Sequence, residues 1–313
     1  MKEFLEYLEF NKKYSSYTVI NYENDLLKLE EFLNKRKIKL NDLDYKMVNE
    51  FIIFLKENRL NSVSINRILS AARTYFKFLE KKKVVSSNPF KLTTSLKKDK
   101  RLPNYFKYND FIDMIDSIDT NTDLGIRNRA LFELLLATGA RVSEVVNIKT
   151  NDINISLGEI KVLGKGNKER IVYINEHTKE ALLNYLNNSR NNLIKEKNDY
   201  LFLNHLGTKL TDRGVRVIID NIIKKSAISL KITPHTFRHS FATMMLNEGC
   251  DLKSVQELLG HVNLSTTSIY THLSNEQIKN VYLHTHPRNK KWWVFFIKKI
   301  RSKSFLSVVE FYY

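Results

Sequence analysis

Apolar residues recur at helical spacing throughout the first 83 residues of the chain. One such face contains Val19, Tyr22, Leu26, Leu29 and Leu33, and another contains Ile65, Ile68, Leu69, Ala72, Tyr75, Phe76 and Leu79. A repeat of three to four residues is typical of amphipathic helices. The same stretch has neither glycine nor proline, the two residues that most weaken helix interiors. The pattern therefore predicts a compact helical bundle.

This periodicity ends between residues 86 and 103. Asn88 precedes Pro89, and a residue before proline is biased away from helical backbone. The charged run 97–101 follows. We interpret 86–103 as a linker between an N-terminal helical domain, residues 1–85, and a second domain, residues 104–288; a surface loop inside one domain is the alternative. A chain of 313 residues is long enough for two hydrophobic cores.

The second domain alternates helical and strand-like patterns. Helices are expected near residues 108–118, 126–138, 176–190, 211–226, 235–248, 252–259 and 274–284. Two short β-branched segments, Glu159–Leu163 and Arg170–Ile174, flank a loop at 164–169 and read as a β-hairpin. The predicted class is mainly α with a small β-sheet.

Residues 289–313 form an atypical basic and aromatic tail. Its six consecutive apolar residues, Trp292–Ile297, are flanked on both sides by lysines. Six residues are too few to span a bilayer. Two interpretations of this tail are kept: an interfacial or partner-binding helix, and an extension without function.

The net charge of the chain is +17, which favours a polyanionic partner such as nucleic acid. A basic protein that is merely soluble is the alternative. The excess positive charge is distributed unevenly along the chain. Residues 1–103 carry 22 basic and 13 acidic residues, a net charge of +9, whereas residues 104–287 carry 22 and 20, a net charge of +2. Basic residues in the second domain must therefore act locally.

Cysteine usage and hydropathy exclude several classes of protein. Cys250 is the only cysteine, so no intrachain disulfide or thiolate metal cluster can form. The N-terminus carries acidic residues early and does not resemble a secretory signal. No segment reaches the roughly 18 apolar residues of a membrane span. We expect no membrane span and a cytoplasmic location.

Two arginines are candidates for binding a phosphodiester anion. Arg141 lies in a Thr-Gly-Ala-Arg-Val-Ser-Glu segment, and Arg238 lies three residues after His235, so both members of that pair share one helical face. Arginine is permanently charged, and its planar fork matches phosphate oxygens. The acidic residues show no metal-ligand spacing, so we expect neither a metal nor another cofactor. Each motif alone also suits a surface ion pair.

A chemical attack on such a phosphodiester would also need a nucleophile and an acid. Tyr270 is the candidate nucleophile, because a tyrosine ester conserves the energy of the broken bond; a lone helical tyrosine is more often a core residue. Lys165, between Gly164 and Gly166 at the hairpin tip, is the candidate acid for the leaving hydroxyl. An ordinary basic turn is the alternative, with Lys168 and Arg170 as rival donors or phosphate contacts.

These motifs occur together and in a fixed order along the chain. They are Thr138–Glu144, Gly164–Arg170, Pro234–His239 and Gly260–His272. In this combination the chain resembles the tyrosine recombinase (phage integrase) family over residues 1–288, and within it the Xer recombinases of bacteria. The stretch Asn280–Arg288 is similar to the usual Xer ending, and slightly closer to the XerC branch than to XerD.

The resemblance implies a catalytic role for six positions. Arg141 and Arg238 would clamp the scissile phosphate, while Tyr270 would attack it and form a 3′-phosphotyrosine. Lys165 would protonate the 5′-oxygen that leaves.

The other two catalytic positions are histidines, and one further residue supports the set. His235 and His261 would hydrogen-bond the phosphate and assist proton transfer. Glu144, three residues after Arg141, matches the family's supporting acid and would orient its neighbours.

The resemblance also implies an architecture and partners. The family fold is a C-shaped, two-domain clamp around double-stranded DNA. In this family four protomers assemble on two DNA sites, and half of them are active at a time. In Xer systems the resemblance further implies a second homologous recombinase and activation by a septal DNA translocase.

The expected function is site-specific recombination that resolves chromosome dimers. An integrase or transposase of a mobile element, using the same residues, is the alternative. A catalytically silent DNA-binding protein is a third possibility, and a type IB topoisomerase shares the chemistry but not this helical N-terminal pattern.

Overall fold

The computed structural model describes residues 1–97, 105–164, 168–196, 198–226, 228, 230–260 and 274–289. The chain divides into two compact units, Met1–Leu102 and Pro103–Tyr313. The first is helical, and the second is helical with one three-stranded sheet. The prediction of a mainly helical protein with a small sheet is confirmed.

The part of the first unit that the structure describes contains four α-helices. They are α1 (Lys2–Glu6), which continues as a π-helical turn at Tyr7–Asn11, α2 (Ser16–Arg36), α3 (Tyr45–Glu57) and α4 (Ser62–Lys81). Each of the last three begins after a polar residue whose side chain accepts a backbone N–H of the first turn, namely Ser15, Asp44 and Asn61. Such caps satisfy backbone donors that have no partner inside the helix.

Aromatic side chains fill the core of this unit. Phe32 and Phe51 pack with ring centroids 5.2 Å apart, and Phe76 and Phe90 pack at the same distance. Phe90 comes from the segment predicted as a linker, yet it is fully buried in this core.

Arg73 on α4 fixes this segment further. Its guanidinium donates to the carbonyl oxygens of Phe90 and Thr93 at 3.0 and 2.8 Å. The described part of the segment therefore belongs structurally to the first unit.

The second unit contains nine α-helices among the residues described. They are α5 (Tyr108–Asp116), α6 (Asp123–Thr138), α7 (Val142–Val145), α8 (Glu176–Asn184), α9 (Arg190–Leu193), α10 (Asp212–Lys225), α11 (Pro234–Asn247), α12 (Leu252–Leu259) and α13 (Asn275–Thr285). Helix α6 is buried along most of its length and packs against α8 and α11. None of the helices in the described ranges is both long and apolar enough to cross a membrane.

The sheet consists of β1 (Ile153–Asn154), β2 (Glu159–Leu163) and β3 (Glu169–Tyr173) in antiparallel order β1-β2-β3. The predicted hairpin is confirmed, with β3 starting one residue earlier than expected. Its register pairs Val162 with Arg170 and Ile160 with Val172. Strand β1 was not predicted, because two residues cannot show a period of two.

The end of the described chain is anchored in the core of the second unit. Arg288 is almost buried and pairs with the buried carboxylate of Glu133, and it also donates to the hydroxyl of Tyr108 at 3.2 Å. The neighbouring His286 is buried, which lowers its pKa to about 3 and keeps the ring neutral. This ion pair fixes the chain that follows α13.

We expect Arg288→Met to destabilise the protein by about 3–5 kcal/mol, because it leaves the Glu133 carboxylate buried without its partner. Replacing both residues, Glu133→Leu with Arg288→Met, should recover much of that loss. The measurement is the free energy of urea unfolding. Arg216→Met on the exposed face of α10 is the matched control and should change it little. Equal stability of Arg288→Met and the wild type would contradict the assigned importance of this pair.

Candidate active site

A glycine turn after α6 sets the position of Arg141. Gly139 has φ +57°, and a Cβ there would lie 2.6 Å from Phe241 and 2.9 Å from Leu259. Only glycine fits this left-handed, crowded position. The turn brings Arg141 to the N-cap position of α7, at the edge of the core rather than inside it.

Glu144 is a buried carboxylate held by two arginines. It is 3% exposed, and it accepts the backbone N–H of Arg141 at 2.8 Å and its Nη1 at 2.9 Å. Arg170 on β3 adds two parallel bonds, Nη1 to Oε1 at 2.7 Å and Nη2 to Oε2 at 2.8 Å. Burial by itself would raise the pKa of Glu144, but the hydrogen bonds and charges of Arg170 and Arg141 lower it overall. The carboxylate is therefore ionised at neutral pH.

Arg238 joins the same cluster from α11. This helix begins at Pro234 after a Thr233 cap, and Arg238 follows one turn later. Its Nη1 donates to the Gly139 carbonyl at 2.9 Å and its Nη2 to the Leu259 carbonyl at 2.7 Å. Burial, helped by the positive charges of Arg141 and Arg170, lowers the pKa of Arg238 to about 10. It remains a cation at neutral pH.

His235 lies on the first turn of α11 and is exposed. The prediction that His235 and Arg238 share one helix is confirmed. The structure thus gathers Arg141, Arg238 and Glu144 and carries His235 on the same helix as Arg238.

Three predicted site residues, Lys165, His261 and Tyr270, lie outside the described residues. The described chain nevertheless reaches the cluster on either side of them. Gly164 donates its N–H to the Lys168 carbonyl at 2.8 Å and closes the base of the hairpin loop. A Cβ on Gly164 would lie 3.8 Å from Glu144 Oε1, and one on Gly260 would lie 2.8 Å from the Arg170 side chain.

Arg170 corrects one expectation. If the hairpin tip were an ordinary basic turn, Arg170 was expected to be a rival proton donor or a phosphate contact. Both its Nη atoms instead bind Glu144, and its side chain is only 17% exposed. A signal was present in the sequence: Arg170 lies two residues before the buried Val172, on the same face of β3. A charged residue at an inward strand position implies a buried partner.

The cluster can bind an oxyanion. The guanidinium groups of Arg141 and Arg170 contact the Glu144 carboxylate, and that of Arg238 lies near enough to interact with it electrostatically. The three cations and one anion leave a local excess of positive charge beside Arg141, whose side chain is 40% exposed. Among the residues that the structure describes, no three His, Cys, Asp or Glu side chains form a cluster suited to a metal ion. The guanidinium groups of Arg141 and Arg238 supply positive charge at this site.

The lowered pKa of Glu144 predicts how stability depends on pH. Its ionised form contributes fully above the ordinary glutamate pKa of about 4.3, and this contribution is lost as the pH falls through the lowered folded-state pKa. Glu144→Gln should lower the free energy of unfolding at pH 7 by about 3–5 kcal/mol and flatten its fall below pH 4.3.

Urea unfolding between pH 3 and 7 measures both effects. Glu176→Gln, at a glutamate whose side chain is 86% exposed, is the control and should follow the wild-type curve. If the unfolding free energy of Glu144→Gln fell as steeply below pH 4.3 as that of the wild type, other carboxylates would be responsible for the fall.

Models of two families match the chain. Residues 105–277 match the phage integrase family, and residues 1–83 match the N-terminal SAM-like domain of phage integrases. The tyrosine recombinase XerC of Anoxybacillus flavithermus is 46% identical over 290 residues, covering 91% of this chain and 96% of that protein. XerC of Bacillus subtilis is 41% identical over 292 residues, covering 92% and 96%.

Solved structures agree with these matches. The XerH site-specific recombinase in a post-cleavage complex with a palindromic difH substrate has a TM-score of 0.68 at 25% identity, covering 91% of this chain and 80% of that one. A lambda integrase fragment bound to a core site shares the fold, with a TM-score of 0.69 at 16% identity over 87% and 97% of the two chains. The resemblance predicted from the arginine, lysine, histidine and tyrosine motifs is thus confirmed along both units, and the chain belongs to the phage integrase family as a site-specific tyrosine recombinase.

Proposed function

We propose that this protein cuts and rejoins double-stranded DNA through a 3′-phosphotyrosyl intermediate and that its cellular task is the resolution of chromosome dimers. The observation that carries the proposal is the convergence of Arg141 and Arg238. They come from distant parts of the sequence, yet Arg238 binds the carbonyl of Gly139, two residues before Arg141. Both guanidinium groups can then neutralise one phosphate.

In the proposed reaction the Tyr270 hydroxyl oxygen attacks the scissile phosphorus. A tyrosine–phosphorus bond forms, the bond from phosphorus to the 5′-oxygen breaks, and Lys165 gives that oxygen a proton. His235 and His261 bind the phosphate and assist removal of the phenol proton. Since one ester replaces another, the bond energy is conserved, and rejoining is the same reaction reversed.

The arginines lower the barrier electrostatically. Negative charge grows on the non-bridging oxygens as the tyrosine attacks, and preorganised cations stabilise that charge. Arg238 is fixed by two backbone carbonyls and Arg141 by the buried Glu144. Neither side chain has to reorganise greatly when the phosphate arrives.

DNA is the proposed substrate for three reasons. The chain carries a net charge of +17, with +9 on residues 1–103, and phosphate contacts supply most nonspecific affinity for DNA. Relatives above 40% identity are named as recombinases. The XerH structure holds a difH substrate. By the same resemblance, we propose a tetramer on two DNA sites, a second homologous recombinase and activation by a septal DNA translocase.

Chromosome-dimer resolution is favoured over integration of a mobile element. Relatives that cover more than nine tenths of this chain are named XerC. The integrases of lambda and of the Tn1549 transposon share the fold at 16–20% identity, which shows the architecture alone. A silent DNA-binding protein would have no need for two converging arginines beside a buried acid.

Tyr270→Phe should abolish the covalent protein–DNA adduct and leave DNA binding unchanged, because the ring is kept and only the attacking oxygen is lost. The substrate is a duplex nicked beside the cleavage position, so that the short released strand diffuses away and the adduct accumulates on a denaturing gel. Tyr45→Phe, at an exposed position of the first unit, is the control and should trap as much adduct as the wild type. Adduct formation by Tyr270→Phe would assign the nucleophile elsewhere.

In the host deleted for this gene, a plasmid with two direct copies of the chromosomal resolution site should recombine only when the wild-type gene is restored. Tyr270→Phe should not restore recombination, because the host supplies every other component. Deletion of the DNA between the sites is measured by amplification across them. Recombination at the ends of a mobile element but not at the chromosomal site would favour the integrase alternative.

A further inference from the structure

Arg170 is the most firmly held arginine of the cluster, and the roles proposed above leave it unassigned. Its guanidinium forms two parallel bonds to Glu144, at 2.7 and 2.8 Å. Such a bidentate pair is both strong and geometrically specific. The third nitrogen, Nε, is buried and has no partner among the described atoms. An arginine in this environment contributes little to a surface that DNA can touch.

Glu144 links Arg170 to Arg141. Its Oε1 accepts Nη1 of Arg141 at 2.9 Å and Nη1 of Arg170 at 2.7 Å, so one oxygen is shared by both guanidinium groups. The Arg141 side chain is 40% exposed, whereas those of Arg170 and Glu144 are 17% and 3% exposed. Arg141 is therefore the most exposed of the three side chains, and it is held at one edge by the buried Arg170–Glu144 pair.

Arg170 also lies close to two further parts of the site, namely the hairpin loop and the end of α12. Arg170 pairs with Val162 in the sheet, and the loop closed by Gly164 and Lys168 begins after one further pair, Leu163 with Glu169. On the other side Gly260, at φ +66°, lies so close that a Cβ there would come within 2.8 Å of Arg170 Cδ and Nε. The Arg170 side chain extends from β3, binds Glu144 on α7 and lies against Gly260 at the end of α12.

We propose that Arg170 is a positioning residue for Arg141, acting through Glu144, in the DNA cleavage reaction that rests on the proposed function. Arg170 keeps the Glu144 carboxylate in one orientation, and the carboxylate keeps one edge of Arg141 occupied so that the other edge faces the phosphate. Arg170 itself does not contact the substrate.

The charge of the scissile phosphate separates this role from a purely structural one. A methylphosphonate at the scissile position has a methyl group in place of one non-bridging oxygen and is neutral. Charge neutralisation by Arg141 then matters less, so a defect transmitted through Arg141 should shrink on this substrate. A defect of folding should be the same on both substrates.

Arg170→Lys is the test variant, because lysine keeps the charge but cannot donate two parallel bonds to one carboxylate. We expect single-turnover cleavage of the nicked phosphodiester to slow by about 10- to 100-fold, less than the 10²–10³ lost with a direct oxyanion donor. On the methylphosphonate the variant should approach the wild-type rate. DNA affinity should change little, because binding is spread over many phosphates.

Arg190→Lys is the matched control. Arg190 is also a buried arginine of the second unit, and it binds the carbonyls of Asn198 and Tyr200 at 2.9 and 2.7 Å. This substitution should lower the melting temperature, and any loss of rate should be equal on both substrates.

A double variant tests the route through Arg141. If Arg170 acts only by positioning Arg141, then Arg141→Ala with Arg170→Lys should cleave no more slowly than Arg141→Ala alone.

Three results are distinguishable. A rate loss confined to the phosphodiester and absent from the Arg141→Ala background supports the proposal. An equal loss on both substrates, or a further loss in that background, overturns it and leaves Arg170 as a structural residue. Absence of a covalent adduct from the wild type on the phosphodiester would instead remove the proposed function.

Discussion

A single buried carboxylate, that of Glu144, holds two arginines of the candidate active site together. Glu144 is excluded from solvent and receives four hydrogen bonds from two arginines. A buried charge is tolerated only when it is paired and fully hydrogen-bonded, so the two guanidinium groups have to remain where they are. The arginines depend on the carboxylate in turn, because the positive charges of Arg141 and Arg170 would repel each other without Glu144 between them.

The second constraint is steric. The carbonyl oxygen of Gly139 accepts a hydrogen bond from Arg238. The side chains of Phe241 and Leu259 fill the space that a Cβ atom on Gly139 would need. The turn that presents Arg141 and the helix that presents Arg238 are therefore packed against each other and share one hydrogen bond. Burial lowers the pKa of Arg238 to about 10 but leaves it charged at neutral pH, which is what binding a phosphate requires.

The chain on both sides of residues 261–273 is firmly placed. Helix α12 ends at Gly260 against Arg170. Helix α13 is fixed through the buried Tyr282, and its following turn is fixed through the Glu133–Arg288 pair. Both anchors belong to the second unit, which also carries Arg141 and Arg238.

The sequence by itself determined the helical class, the hairpin and the family, because helical periodicity, β-branched runs and short motifs are local properties of the chain. It also supplied Arg141, Arg238, His235 and Glu144 as candidates, since motif spacing is visible without coordinates. Strand β1 could not be predicted from the sequence, because two residues carry no periodicity. The burial of Phe90 could not be predicted either, because a proline-containing segment gives no sign of what it packs against. The pairing of Arg170 with Glu144 was decided only by the tertiary structure, because the two residues are 26 positions apart and only the sheet register and the Gly139 turn bring the two charges within hydrogen-bonding distance.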